Sequence, residues 1–562
     1  SSLPEDSRFP PRAAPRRRAM RLGERLEALR GYDSPMGDSV ADGTPLTPVD
    51  TAWLHMEDPT NLMMVTGVYV FGEPVDFARL KDTVRVRMVE RFPRFRHKVK
   101  QSGVSASWVR DPTFDLDAHV HRIALPGPCD GQALRDVVSD LMSMPLDFTK
   151  PLWQIHLVEN YCGGAVVLLR IHHSIGDGIA LVHVLLSSTD ASADAPWPRS
   201  APVWVTKAPH ETDVGWRITS LFEGVQRLVA STRRTADRVT ARTVESLLHP
   251  SHVLETAQTA FEAAGVLARM LVRPPDPKTV LKGSLGVAKR AAWSRRFPIA
   301  DVKEISRKIG GTVNDVLLTA VTGALRRYLL FRGDKPDGKD VNAMVPVNLR
   351  PPSEADELGN RFGLIYLSLP VGEADPDERL RLVKRRMDAI KKTPEPFVAF
   401  QILNALGLAP VEVSDLVVNM FGAKSTAVMT NVVGPKHPVW FAGRRITDMM
   451  FWVPQSGRMG LGVSIFSYDG NVVVGIATDA GLVPDPERIA SFFEEELESL
   501  GGGSRLSILD ELSFVPPPAT RPARKETRWK RTPPATSSAT RSRRSPTAAG
   551  KRSAAPRKGS PR

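Results

Sequence analysis

Cysteine is nearly missing from this sequence. Two occur in 562 residues, Cys129 in "PGPCDG" and Cys162 in "NYCGG". Two are too few for a disulfide framework, and a reducing cytoplasm is the simplest setting. Long apolar runs are missing too. No stretch approaches the roughly 18 residues that a membrane-spanning helix needs. The opening "SSLPEDSRFPPRAAPRRRAM" is basic but lacks the apolar core of a secretory signal. Several chemical signatures are also absent. There is no Gly-x-Ser-x-Gly nucleophile elbow. There is no Gly-x4-Gly-Lys-Ser/Thr phosphate loop and no Gly-x-Gly-x-x-Gly dinucleotide turn. Neither cysteine lies beside a histidine, so a thiol nucleophile has no local support. No internal repeat is visible.

The composition is 42% hydrophobic and 25% charged, as in soluble globular proteins. The length exceeds what one core serves and implies two or three domains. The net charge of +14 is local. Residues 521–562 carry 14 Lys/Arg and one acidic residue, Glu526, which leaves the rest of the chain almost neutral. That tail is rich in Pro, Ser, Ala and Thr and cannot bury enough surface to offset its ordering entropy. It is expected to be disordered, serving either solubility or contact with an anionic surface, with no specific nucleic acid expected.

Periodicity divides the remainder. Strands are expected at "NLMMVTGVYVFG" (61–72), "LWQIHLVEN", "GAVVLLRIHH" and "VNAMVPVNL". Helices are expected at 77–95, at "GQALRDVVSDLMSMPLD" (131–147), at "IALVHVLLSS" and over 313–330. "LGVSIFSYDGNVVVGIATD" (461–479) reads as a hairpin around Asp469-Gly470, and "PERIASFFEEELESL" as a closing helix. The mixture predicts α/β layers in two halves. The expected divisions are 1–43, a basic Pro-rich arm; 44–190, a first subdomain; 191–280, a linker and helical connection; 281–512, a second subdomain; and 513–562, the tail.

One stretch stands out. In "VLLRIHHSIGDGIALVHVLL" (167–186) an apolar strand stops at His172 and His173, and a short turn carries Asp177 and Gly178. Adjacent strand residues face opposite ways, which argues against both rings holding one metal. What remains is an imidazole at a strand end with a near-neutral pKa, the equipment of a general base. Asp177 is placed to brace the turn, and Gly176 and Gly178 to supply backbone angles that other residues avoid.

"HHSIGDG" resembles the signature of the CoA-dependent acyltransferase superfamily. Further blocks resemble the bacterial wax ester synthase/diacylglycerol acyltransferase family: "PLTPVDTAWLHMEDPTNLMMVTGVYVF" (45–71), "FPRFRHKV" (92–99), "PLW" (151–153), "GGTVNDVLLTAVTGALRRYL" (310–329), "VPVNLR" (345–350), "GNRFG" (359–363) and "TNVVGP" (430–435). The resemblance implies two chloramphenicol-acetyltransferase-like subdomains with a channel at their interface. It implies acyl transfer from acyl-CoA, a substrate and not a cofactor, to a fatty alcohol or diacylglycerol, with no metal and no acyl-enzyme. His173 is then the base, with His172, Asp177, Gly178 and Asn314 completing the catalytic set. Asn314 either positions the oxyanion or caps a helix. Asp315, Arg350, Thr430 and Asn431 are the expected substrate-binding residues. Arg350 either pairs with Asp177 or lies at the surface, and Thr430 and Asn431 line the centre or shape a turn. Acylation of another hydroxyl or amine, or a non-catalytic module of condensation-domain shape, are the alternative readings. Lipid substrates imply peripheral contact with the inner membrane face or lipid inclusions. The apolar stripe Ile218, Leu221, Phe222, Val225, Leu228 and Val229, with arginines beyond it, either lies on lipid or packs on its own domain.

Overall fold

The computed structural model describes residues 43–197 and 265–501, apart from 352, 353, 355, 356 and 392. The arm before residue 43, the 216–242 segment and the basic tail lie outside the described residues.

The first half runs β1 (Thr44–Pro45), α1 (Pro48–His55), β2 (Met64–Phe71), α2 (Phe77–Val84), β3 (His97–Ser102), β4 (Ser105–Arg110), β5 (Val120–Ala124), α3 (Gly131–Met142), β6 (Trp153–Tyr161), β7 (Gly164–His172) and α4 (Gly178–Ser188). The second half begins with β8 (Lys289–Trp293), β9 (Phe297–Pro298), α5 (Ile299–Ile309), α6 (Val313–Phe331), β10 (Val341–Asn348) and β11 (Phe362–Leu369). Three helices follow, α7 (Pro376–Ile390), α8 (Glu395–Leu406) and α9 (Val411–Gly422). β12 (Ala427–Val433), β13 (Trp440–Phe441), β14 (Arg444–Trp452), β15 (Leu461–Tyr468), β16 (Asn471–Asp479) and α10 (Pro486–Leu500) close the described chain.

The local expectations correspond closely to these elements. The Asp469-Gly470 turn has φ of 46° and 74°, the two left-handed residues that let a two-residue turn match strand twist. β7 is buried at every position. It lies between β2 and β6 at the centre of a sheet ordered β13-β14-β2-β7-β6-β5, and its apolar run, interrupted by the buried Arg170, is covered on both faces. The helix expected over 77–95 stops short. α2 gives way to a π-helical turn at Arg85–Val89, and Pro93 opens a short 3-10 turn.

The first sheet is not built from the first half alone. β14 pairs antiparallel with β2, from Ile446 opposite Phe71 to Trp452 opposite Thr66. A boundary drawn between 190 and 281 therefore misses that residues 440–452 return to the first layer. The second sheet is ordered β11-β10-β12-β15-β16-β8, with β9 also on β16. α3 of the first half covers the β8 edge: the hydroxyl oxygens of Ser143 and Ser139 accept the N–H groups of Lys289 (2.8 Å) and Ala291 (3.0 Å). Those donors would otherwise be open strand-edge groups. The halves are thus joined by strand exchange and by side-chain capping, and the loop after β7 faces the seam.

Candidate active site

His172 ends β7, and its N–H donates to the Leu152 carbonyl at 2.9 Å, so the "PLW" block fixes where the strand stops. The next residue leaves the sheet. The His173 N–H donates to the Met63 carbonyl at 2.7 Å. The two rings enter different surroundings. Nδ1 of His172 accepts from the Ser174 N–H (3.1 Å) and contacts its hydroxyl (2.8 Å). That leaves the proton on Nε2, which lies 3.5 Å from the Glu57 carboxylate. His172 is fully buried and holds its loop. His173 stacks on Trp53, with ring centroids 4.0 Å apart and planes 23° apart, and meets Phe362 edge-on at 5.8 Å. Its Nδ1 has no hydrogen-bond partner among the described residues.

These walls correct the near-neutral pKa expected for His173. Burial pushes it down to about 4, against the opposing pull of the Asp177 carboxylate. An imidazolium between two aromatic rings loses more hydration than one carboxylate returns. The ring is therefore neutral at pH 7.

Asp177 caps α4. One carboxylate oxygen accepts from the Ala180 N–H at 2.9 Å. The other accepts from the Arg361 N–H and the Arg350 guanidinium, each at 2.9 Å. Its own N–H donates to the Gly359 carbonyl at 3.2 Å. No hydrogen bond links it to the His173 ring. Arg350 is buried and also donates to the carbonyls of Gly359 (2.6 Å) and Glu357 (2.7 Å). Of the two places the sequence allowed, it takes the one beside Asp177, as a brace, and not the surface.

Neither Gly176 nor Gly178 has a positive φ, which corrects the expectation of unusual angles. A Cβ on Gly176 would lie 3.1 Å from that of Ala180, and one on Gly178 would lie 3.6 Å from Val432 Cγ2. Close approach is the constraint at Gly176, whereas Gly178 marks where α4 meets β12. The glycine with a conformational need is Gly359, at φ 126°.

Residues from distant blocks complete the frame, and the sequence reading did not single them out. Asn360 donates its side-chain amide to the His173 carbonyl and to Asp50, each at 2.8 Å. Arg94 reaches the Ile175 carbonyl at 2.9 Å and forms an ion pair with Asp50 at 3.1 Å. Asp50 is fully buried, and burial raises its pKa against the opposing Arg94 charge and the Asn360 hydrogen bonds. A signal existed: Asp50, Trp53 and Glu57 lie in 45–71, Arg94 in 92–99, and Asn360, Arg361 and Phe362 in "GNRFG". A cleft of about 560 Å³ adjoins the loop from another side. Its walls include Arg94, His183 and Leu358 but not His173.

At the seam, the Asn431 amide donates to Asn314 Oδ1 at 2.8 Å. Asn314 is not the cap of α6. Thr312 is, in a reciprocal capping box with Asp315. One oxygen of the Asp315 carboxylate accepts from the Thr312 N–H and hydroxyl, each at 2.8 Å, which places Asp315, expected among the substrate-binding residues, in the cap of α6; its other oxygen is buried without a partner among the described residues. Asp315→Ala is expected to cost about 0.5–2 kcal/mol of stability with KM unchanged, as thermal unfolding and saturation curves would show. Thr430 is buried, and its hydroxyl has no partner among the described residues. No group of three or more His, Cys, Asp or Glu among the described residues is arranged to hold a metal ion.

Two family models cover most of the chain: the wax ester synthase/diacylglycerol acyltransferase catalytic domain over 46–317 and the WS/DGAT C-terminal domain over 358–501. The chain belongs to the wax ester synthase/diacylglycerol acyltransferase family. It is an acyl-CoA-dependent O-acyltransferase. Among similar family members, a Mycobacterium tuberculosis protein named as a probable diacylglycerol O-acyltransferase is 28% identical over 466 residues, covering 81% of this chain and 95% of the relative. A second of that name and organism is 28% identical over 469 residues, covering 81% and 98%. The wax ester synthase/diacylglycerol acyltransferase from Marinobacter aquaeolei VT8 shares the fold at a TM-score of 0.57 and 22% identity, over 82% of this chain and all of that one. The first condensation domain of the calcium-dependent antibiotic synthetase shares it at a TM-score of 0.52 and 15% identity, over 82% and 96%. Among the described residues no helix is long and apolar enough to cross a membrane.

Proposed function

We propose that this family member transfers a fatty acyl group from acyl-CoA to the hydroxyl of a long-chain alcohol or a diacylglycerol, with His173 as general base. One observation carries the reading: a neutral imidazole, kept so by burial, whose main chain is held at the seam of the two halves by its N–H donating to the Met63 carbonyl and its carbonyl accepting from the Asn360 side-chain amide. The acceptor hydroxyl gives its proton to His173 as its oxygen attacks the thioester carbon. The tetrahedral oxyanion collapses, the C–S bond breaks, and the CoA thiolate takes the proton from His173. Atoms and charge balance without a metal, a cofactor or an acyl-enzyme. A ring that is reluctant to hold a proton alone gains a partner once the oxyanion forms beside it, so the pair is favoured mainly in the transition state. Asn314, whose oxygen is occupied by Asn431, retains its amide N–H groups for that oxyanion. Such a donor is worth about 3 kcal/mol when well placed. Asn431, in the middle of β12, holds Asn314 in place for that contact.

The test is purified protein with palmitoyl-CoA, offered hexadecanol and dipalmitoylglycerol separately, with products resolved by thin-layer chromatography. Ester from at least one acceptor is expected. CoA release by hydrolysis alone, with no ester from either, rejects the reading.

The pH dependence follows from the His173 shift. Its folded pKa is depressed, so the neutral base persists as pH falls and is lost only through about 4. The acid limb of kcat/KM is therefore expected well below the ordinary histidine value of about 6.5. By linkage, the ring's contribution to stability is present above that unfolded value and is lost as pH falls toward the folded one. A rate profile bending near 6.5, with circular dichroism unchanged, contradicts the assignment.

A further inference from the structure

Helix α9 (Val411–Gly422) carries its apolar residues outward. Its buried residues are Ser414 and Gly422, whereas Leu416 is 72% exposed, and Val413 and Met420 are exposed too. Leu408, in the preceding turn, is 68% exposed. A second apolar edge adjoins this one. Lys424, just past α9, donates to the carbonyls of Met270 (2.8 Å) and Leu271 (2.6 Å), which ends the helical turns at 265–272. There Leu271 is exposed and Val272 is 78% exposed. Single exposed apolar side chains need no explanation, but adjoining ones do.

The half-buried flank of α9 leads to the site. Val417 and Val418 pack on the cluster that contains Trp53, Met63, Phe362 and Leu403, and Trp53 and Phe362 are the rings around His173. Apolar packing thus runs unbroken from the candidate base to the outer face. The exposed charges beside that face are of both signs. Glu412 and Asp415 are exposed on α9, and Arg269 and Arg458 are exposed next to it. Large apolar side chains with charges of both signs beside them make a face whose lipid contact is apolar and not ionic, which suits a zwitterionic surface.

We infer that the outer face of α9, with the 271–272 edge, docks the protein on a zwitterionic phospholipid layer from which the acyl acceptor is drawn. This rests on the proposed reading that the acceptor is a water-insoluble hydroxyl lipid. It places lipid contact on the folded body, independently of the 216–242 segment and the basic tail.

The test uses the full chain, phosphatidylcholine vesicles and sedimentation. Val413→Glu with Leu416→Glu is expected to weaken vesicle binding about tenfold or more, equally at low and high salt, because apolar burial is not screened. Turnover of a water-soluble pair, butyryl-CoA and hexanol, should be unchanged, while turnover of diacylglycerol in vesicles should fall with binding. Should the double variant unfold, Leu416→Lys alone asks the same question at a more exposed residue. Unaltered vesicle binding overturns the inference. So does wild-type binding confined to anionic vesicles and lost in salt, or a wild-type dimer that the variant splits, since a second copy would then be the occupant. Binding is read without turnover. A protein that docks but acylates no hydroxyl fails the functional reading alone, and one that acylates but does not dock fails this inference alone.

Discussion

Replacing His173 with Ala is expected to lower turnover by about 10²–10⁴ while leaving acyl-CoA binding nearly intact. The loss is that of the proton acceptor, and the groups that hold the oxyanion remain. Because the ring stacks on Trp53 at 4.0 Å, truncation also leaves a cavity, and some stability falls with it. His173→Phe separates the two effects. It keeps an aromatic ring in the stack and removes both nitrogens, so it should unfold near the wild-type temperature and still lose the rate. His172→Ala should act differently. Its ring meets Ser174 and Glu57, so its removal loosens the loop and lowers stability more than it lowers the rate of the remaining folded protein. A dead His172 variant beside an active His173 variant reverses the assignment.

Arg350→Met is expected to cost about 3–5 kcal/mol of stability, because it leaves the Asp177 carboxylate buried without its ion partner. The pair is held at 2.9 Å with both side chains nearly inaccessible. Asp177 would keep the Arg361 and Ala180 N–H groups, which sets the loss below that of an isolated buried charge. Removing both charges should recover much of it. The Asp177→Asn, Arg350→Met double variant is expected to be more stable than Arg350→Met alone, the sign of a coupled pair in a double-mutant cycle. Activity should fall in every variant, since the Arg350 side chain bonds to the Gly359 carbonyl and the Asp177 carboxylate to the Arg361 N–H, on either side of the Asn360 that holds the His173 carbonyl. Denaturant unfolding reads the cycle. A loss under about 1 kcal/mol for Arg350→Met would be the figure of an exposed pair and contrary to the brace.

What the sequence revealed, and what it withheld, divides along sequence distance. The Asp469-Gly470 hairpin was legible because the turn's need for two left-handed residues is local. So were β7 and α4, from an apolar run and a helical stripe. The Asp177 brace was legible as a role, but its cation was not fixed until Arg350, 173 residues away, came to 2.9 Å. The passage of β14 into the first sheet left no local trace, since "RRITDMMFW" pairs equally well with any strand of matching pattern. The low pKa of His173 was hidden for the same reason. It depends on Trp53 and Phe362, which no periodicity links to "HHSIGDG". Gly176 and Gly178 were misread because a glycine can answer close packing as well as a special φ, and the sequence does not say which.

The central claim is direct transfer from CoA to a hydroxyl, with His173 carrying the proton and no residue carrying the acyl group. It is tested most directly by mixing the protein with a stoichiometric amount of palmitoyl-CoA, first without and then with hexadecanol, and following CoA release and intact protein mass together. Without alcohol, the account predicts unmodified protein and no burst of CoA. On adding alcohol, CoA and ester should appear together in equal amounts. Protein heavier by one palmitoyl group, or CoA released before any alcohol is present, would contradict it.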